Sequence, residues 1–205
     1  MGNRFGEIAF TPAVKAEQTR LGSRRAYAAQ AEGPATNDRL GEDEAAFIAS
    51  RDSFYMATVT ETGWPYVQHR GGPAGFLKVL DERTLGFADF RGNRQYVSVG
   101  NVMGEDRVCL FLMDYGQRLR LKIFGHARLT EAPEDLERLA NPGYQAVVER
   151  GWLIAIEAFD WNCPQHIVRR FTAQEIAQAF TPLERRIAEL EAEIAALKAQ
   201  GGEQG

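Results

Sequence analysis

The chain predicts a mainly β fold with α decoration: an antiparallel β-barrel of six to seven strands, short peripheral helices and a C-terminal helix. Three observations predict it. Six or seven segments from Phe54 to Phe159 have the length and the aromatic or β-branched make-up of strands. The links between them are of hairpin length and carry turn residues. Only short helical patterns interrupt them, and closing an antiparallel sheet on itself removes exposed edges.

The elements follow in order. Thr11-Pro12 reads as an N-cap and an N1 proline, opening a short helix toward Arg20. Leu21 to Asp38 is rich in Ala, Gly and Arg, an arm with one helical turn. Glu42 to Arg51 is a helix with acidic residues in its first turn and an apolar face of Ala45, Ala46, Phe47 and Ile48. Phe54 to Thr60 is a strand, Glu61-Thr62-Gly63 a turn, and Trp64 to Arg70 its hairpin partner, ended by Gly71-Gly72-Pro73. Phe76 to Leu80 and Thr84 to Asp89 form a second hairpin around Asp81-Glu82-Arg83. After Gly92-Asn93-Arg94 a short helix runs toward Asn101. Val108 to Met113 is uninterrupted and apolar, the pattern of a strand buried on both faces. Leu119 to Leu129 is a long strand after the turn at Tyr115-Gly116, Pro133 to Ala140 a helix, and Trp152 to Phe159 the last core strand. The chain thus reads as an N-terminal arm (1–41), one barrel domain (42–172) and a C-terminal amphipathic helix and tail (173–205). In that tail Leu183, Ile187, Leu190, Ile194 and Leu197 recur at heptad-like spacing. Such a stripe packs either on its own barrel or on the same helix of a second chain.

Composition narrows the function. The 205 residues are 44% apolar and 25% charged, ordinary for a globular protein, with a net charge of −4. That balance offers no global basic field for nucleic acid or an anionic membrane. The chain begins without a secretory leader pattern, and no apolar run approaches the ~20 residues that span a bilayer, so the cytoplasm is the expected compartment. Two cysteines, Cys109 and Cys163, make neither a disulfide framework nor a zinc site. His69, His126 and His166 are too scattered to signal a metal, and none is expected. Nucleophile-elbow, phosphate-loop and zinc-helix motifs are missing.

What stands out is a set of basic and amide residues at strand ends. Gln68-His69-Arg70-Gly71-Gly72 closes one strand, and Arg91-Gly92-Asn93-Arg94-Gln95 sits where another strand turns into a helix. Guanidinium groups beside unpaired backbone N–H groups at a helix start suit a phosphate dianion. Each cluster also has a plain reading, as a turn and N-cap or as a break between strands.

Taken in order, Pro65 to Arg70, Leu85 to Asp89, Gly92 to Gln95, Arg107 to Phe111 and Arg120 to Gly125 resemble the pyridoxamine 5′-phosphate oxidase-like family of FMN-binding split β-barrels. The likeness runs from about Phe47 to Phe171 and is nearest its flavin-nucleotide-binding branch, in which Asp160 to His166 also looks at home. The resemblance implies FMN as cofactor and a homodimer with the flavin at the subunit interface. It implies that Gln68, His69, Arg70 and Gly71 touch the ring and ribityl chain, and that Ala88 and Asp89 lie along the ring. Arg94 matches the family's phosphate-binding arginine; Gln95 stands where the oxidases usually carry lysine, so phosphate binding should lean more on Arg94 and on Arg70 or Arg91, with Asn93 and Gln95 also among the cofactor-binding residues. Arg120 matches a residue that reaches the flavin's pyrimidine edge from the other subunit, where a fixed cation would stabilise reduced flavin. Trp161 covers a flavin face or plugs the barrel end, Cys163 is a redox thiol or inert, and His166 is a weak candidate proton donor. The oxidases' residues for substrate phosphate have no counterpart here, so vitamin B6 oxidation is not implied. The expected function is an FMN-dependent oxidoreductase acting on a small substrate, with NAD(P)H as a possible donor. The alternatives are a flavin carrier, sensor or buffer, and a binder of another planar cofactor such as a deazaflavin or haem.

Overall fold

The computed structural model describes residues 2–29, 35–161 and 164–202. The chain divides into two compact units, Met1–Asp114 with Leu119–Gln165, and Tyr115–Arg118 with His166–Gly205.

The first unit opens with β1 (Gly2–Asn3), α1 (Arg4–Ala9), α2 (Pro12–Arg20), α3 (Arg24–Ala29) and β2 (Ala35–Thr36). The Thr11 hydroxyl accepts a hydrogen bond from the Val14 N–H at 3.4 Å, so the expected cap opens α2. Sequence patterning misses α1 and the two-residue parallel pairing of β1 with β2, because both are too short to show a period. What anchors α1 is tertiary: Phe5 stacks on Phe124 at 4.5 Å, and Arg4 pairs with Glu157. Then come α4 (Glu42–Ala49), β3 (Ser53–Val59), β4 (Pro65–Gly71), β5 (Lys78–Asp81), β6 (Thr84–Phe90), α5 (Val97–Gly104), β7 (Arg107–Asp114), β8 (Leu119–Thr130), α6 (Pro133–Leu139) and β9 (Val148–Trp161). Glu42, Asp43 and Glu44 occupy the first turn of α4, and the Glu44 carboxylate accepts from the Gly41 N–H at 2.9 Å.

Seven strands form one antiparallel sheet in the order β4-β3-β7-β8-β9-β6-β5. The sheet curls until its two ends meet. β4 and β6 are five places apart along it, yet the Arg70 guanidinium on β4 donates to Asp89 on β6 at 2.7 Å. Phe54 on β3 meets the Phe87 ring edge-on at 5.3 Å. This closure is the split barrel. Its interior is packed by Phe54, Met56, Phe76, Phe87, Leu110, Leu121, Ile123 and Trp152, all essentially buried. Burying a side chain of that size contributes roughly 1.5–3 kcal/mol. Gly125 has a steric reason: a Cβ there would lie 2.5 Å from the Ala155 carbonyl oxygen, where β8 and β9 shift register.

One expectation is corrected. The apolar run on β7 is not buried on both faces: Val108, Leu110 and Leu112 point into the core, while Cys109, Phe111 and Met113 are half-exposed. Those outer positions continue an apolar surface with Tyr55, Ala57 and Val67, around a recess of about 310 Å³. The last strand also starts earlier than its apolar pattern, at Val148 rather than Trp152.

The second unit is dominated by α7 (Ala173–Gly202), which contains Pro182. Among the described residues no helix is long and apolar enough to cross a membrane.

Candidate functional site

Closure of the barrel gathers the charged strand ends into one place. Two adjoining recesses of about 210 and 250 Å³ share Gln68, Arg70, Asp89, Phe90 and Gly92 in their walls. The first adds Asn93, Arg94, Tyr96, Ser98, Val99 and Glu149; the second adds His69, Gly71, Phe76, Phe87, Ala88 and Arg91.

Period-two alternation on β4 turns Gln68 and Arg70 toward the barrel and sends Val67 and His69 outward. Gln68 accepts a hydrogen bond from the Ser98 hydroxyl of α5 at 2.7 Å. Arg70 is sunk deeper than a phosphate ligand need be. Its guanidinium lies over the stacked rings of Phe87 and Trp152 at 5.7 and 5.2 Å, and the pair with Asp89 leaves only 13% and 7% of the two side chains exposed. Burial weakens this guanidinium's hold on its proton, and the Asp89 carboxylate opposes that effect. Arg70 is therefore a closing tie of the barrel as well as a wall of the recess. His69 instead meets Tyr55 edge-to-face at 5.5 Å on the outer face.

The turn after β6 carries the exposed cations. Asn93 accepts from the Gln95 N–H at 3.2 Å, which tightens the turn, while the Gln95 side chain is exposed and outside the recess walls. Arg94 and Tyr96 both take left-handed backbone conformations, φ +61° and +52°, which cost an ordinary residue on the order of 1–3 kcal/mol each. Such strain persists only where the surroundings impose it. Here Arg94 Nε donates to the Tyr96 hydroxyl at 3.2 Å, and no side chain caps the start of α5.

The sequence reading missed the residues opposite. β6 and β9 shift register between Asp89 and Phe90, so that Glu149 is an extra residue on β9. The bulge turns both Glu149 and Arg150 toward the cluster. Arg91 Nε meets the Glu149 carboxylate at 2.9 Å, the Tyr96 hydroxyl donates to it at 3.2 Å, and Arg150 lies 3.6 Å from Glu149 and 3.6 Å from Asp89. The Arg150 guanidinium also covers the Tyr96 ring at 5.2 Å. The hydrogen bond from Arg91, more than any other contact, holds the Glu149 carboxyl below its usual range. Four guanidiniums (Arg70, Arg91, Arg94 and Arg150) face two carboxylates (Asp89 and Glu149), which leaves two positive charges in surplus. The Nε atoms of Arg70 and Arg150 are buried without a hydrogen-bond partner.

The other predicted residues lie elsewhere. Trp161, at the far end of β9 from Glu149, donates to Glu44 at 2.7 Å and meets Phe47 edge-on at 4.8 Å, as a barrel plug does. Arg120, opposite Met113 in the β7–β8 ladder, covers the Phe111 ring at 5.3 Å on the outer face. His166 is exposed in the second unit with φ +63°. Cys163 lies outside the described residues. The described residues hold no cluster of potential metal ligands.

Comparison with known proteins agrees with this architecture. The pyridoxamine 5′-phosphate oxidase family matches residues 40–176. Among solved structures, HupZ from Group A Streptococcus shares the fold at 14% identity, with a TM-score of 0.50 over 64% of this chain and 99% of that one. An FMN-binding protein from Syntrophomonas wolfei is similar at 13% identity (TM-score 0.46; 74% and 95% covered). So is a protein related to general stress protein 26, of the pyridoxinephosphate oxidase family, from Clostridium acetobutylicum, at 15% (0.44; 65% and 94%). None of the curated proteins matches. The family match spans more than half of the sequence, and the chain belongs to the pyridoxamine 5′-phosphate oxidase family.

Proposed function

We propose that this protein binds FMN through its phosphate at the recesses that Arg91 and Arg94 line, with Arg150 behind them, and works as an FMN-dependent oxidoreductase on a small substrate. The observation that carries the reading is the charge surplus: two uncompensated guanidiniums match a phosphate monoester dianion, in a chain whose net charge is −4. The donor set fits such an ester. Arg94 and Arg91 offer forked N–H groups at the rim, Ser98 and Gln68 offer neutral polar groups, and a Cβ built on Gly92 meets nothing within 4 Å, so the backbone there is open to close approach. FMN, when bound, supplies the two-electron redox chemistry. The protein's own part is to hold the ester, to present β6 backbone near Ala88 and Asp89, and to keep water from the barrel mouth with Phe90 and Val99.

The active form in this reading is a homodimer joined through the apolar outer face of β3, β4 and β7, where Tyr55, Val67 and Phe111 stand half- or fully exposed. Arg120 lies on the outer face beside Phe111 and is assigned to the flavin of the second copy.

The recess also favours a second reading, a flavin carrier without robust turnover. Its two carboxylates are both paired to arginines, and Glu149 in particular is held ionised, which makes it a poor proton carrier near neutral pH. One experiment separates the readings. Purified protein loaded with FMN is mixed anaerobically with NADPH or NADH, then with oxygen or small acceptors. Bleaching of the flavin bands and repeated recovery support the enzyme; stable bands throughout support the carrier. Absence of flavin binding under any condition contradicts both.

A further inference from the structure

The long C-terminal helix leaves a stripe of large apolar side chains in water. Along α7, Ile176, Phe180, Leu183, Ile187, Leu190 and Ile194 are each 40–58% exposed, and they follow one another at spacings of four, three, four, three and four. Ile176 and Phe180 extend the stripe beyond the part that the sequence pattern first marks. A helix of 30 residues is about 45 Å long, so the stripe runs along most of its length. The spacing puts Ile176, Leu183 and Leu190 at heptad position d, and Phe180, Ile187 and Ile194 at position a. Pro182 falls at an outward position and keeps its ring out of the seam.

We propose that α7 pairs with α7 of a second copy of this chain as a parallel, in-register, two-stranded coiled coil. Two features of the stripe select that occupant. After Pro182 the a positions are isoleucine and the d positions leucine, the combination that favours parallel dimers over trimers and tetramers. The flanking charges complement each other in the same arrangement. In a parallel pair, position g faces position e five residues further on in the partner helix. That sets Arg186 against Glu191 of the second copy and Glu193 against Lys198 of the second copy, opposite charges at both places. Arg186 now reaches Glu189 of its own helix at 3.1 Å, an exposed pair that is readily exchanged. Isolated helices with so few heptads are marginal. A second contact between the same two chains would raise the effective concentration of one helix for the other.

The test uses the full chain with Cys109→Ser and Cys163→Ser, adding a single cysteine by Leu190→Cys at a seam position or by Glu189→Cys on the outward face. Under mild oxidation the Leu190→Cys chain should form covalent pairs ~10-fold faster than the Glu189→Cys chain, because in-register pairing juxtaposes a d position with itself. Adding Arg186→Glu should slow that cross-link, and adding Glu191→Arg to the same chain should restore it. Circular dichroism of each variant confirms that the helix is intact. Equal rates at 189 and 190, no cross-link at 190, or a charge exchange without rescue would each overturn the proposal. None of these readouts involves flavin.

Discussion

The two faces of β4 show how one strand serves two surfaces of opposite chemistry. Toward the barrel, Gln68 and Arg70 join a cluster of four guanidiniums and two carboxylates, tied by ion pairs and hydrogen bonds of 2.7–3.6 Å. Away from it, Val67 and His69 belong to an apolar surface with Tyr55, Ala57, Cys109 and Phe111, where burial raises the Cys109 thiol's pKa. The lesson is about dielectric and pairing. A charge is tolerated inside the barrel only because a partner and aromatic faces replace its water. The outer patch of Tyr55, Ala57, Val67, Cys109 and Phe111 carries no charged side chain of its own, and it gains by excluding water.

The largest effect should come from breaking the inner side of that contrast. Arg70→Ala leaves Asp89 buried with Arg150 at 3.6 Å as its remaining cation, and removal of one partner from a buried pair costs roughly 3–5 kcal/mol. Chemical denaturation of the variant should show that loss, whereas Arg91→Ala, at the exposed rim, should change stability little. Breaking the outer side comes next. Val67→Glu or Phe111→Glu places charge on the apolar face and, if the proposed dimer forms through it, should convert that dimer to monomer in sedimentation, with the barrel's circular dichroism kept.

Smaller effects sharpen the picture of the recess. Arg94→Ala should weaken FMN binding by ~10–100-fold, the range for one charge-assisted phosphate contact, with stability unchanged. Glu149→Gln works the opposite way. Removing the resident carboxylate releases Arg91 and Arg150 for the ligand, so affinity for sulfate, a dianion of constant charge, should rise ~10-fold. The pH dependence follows from sign. Glu149's carboxyl lies below its usual range in the fold, so its pairing is present above the ordinary carboxylate range and is lost as pH falls through the depressed value. Wild-type sulfate affinity should therefore approach that of Glu149→Gln as the solution is acidified through that range.

Much of this was legible in the sequence. β3, β4 and β6 announced themselves through aromatic and β-branched residues bounded by Gly-rich turns, and the arginines at their ends suggested the candidate phosphate site; closure brings Arg70, Asp89 and Arg94 into the wall of one recess. What stayed hidden depends on register across distant strands. Glu149 and Arg150 precede an apolar run and look like a solvated loop until the bulge against Asp89 turns them inward. Arg70 looked like a free phosphate ligand because its tie to Asp89 requires the barrel to be closed. Phe111 looked like core because a hydrophobic outer face reads the same as a buried one.

The most direct test compares FMN with riboflavin, which carries the same ring system and ribityl chain without the phosphate, by fluorescence titration of the wild type and Arg94→Ala. FMN should bind ~100-fold or more tightly than riboflavin to the wild type, and that preference should shrink toward unity in the variant. Equal affinities in the wild type, or a phosphate preference untouched by Arg94→Ala, would contradict a phosphate grip at this recess.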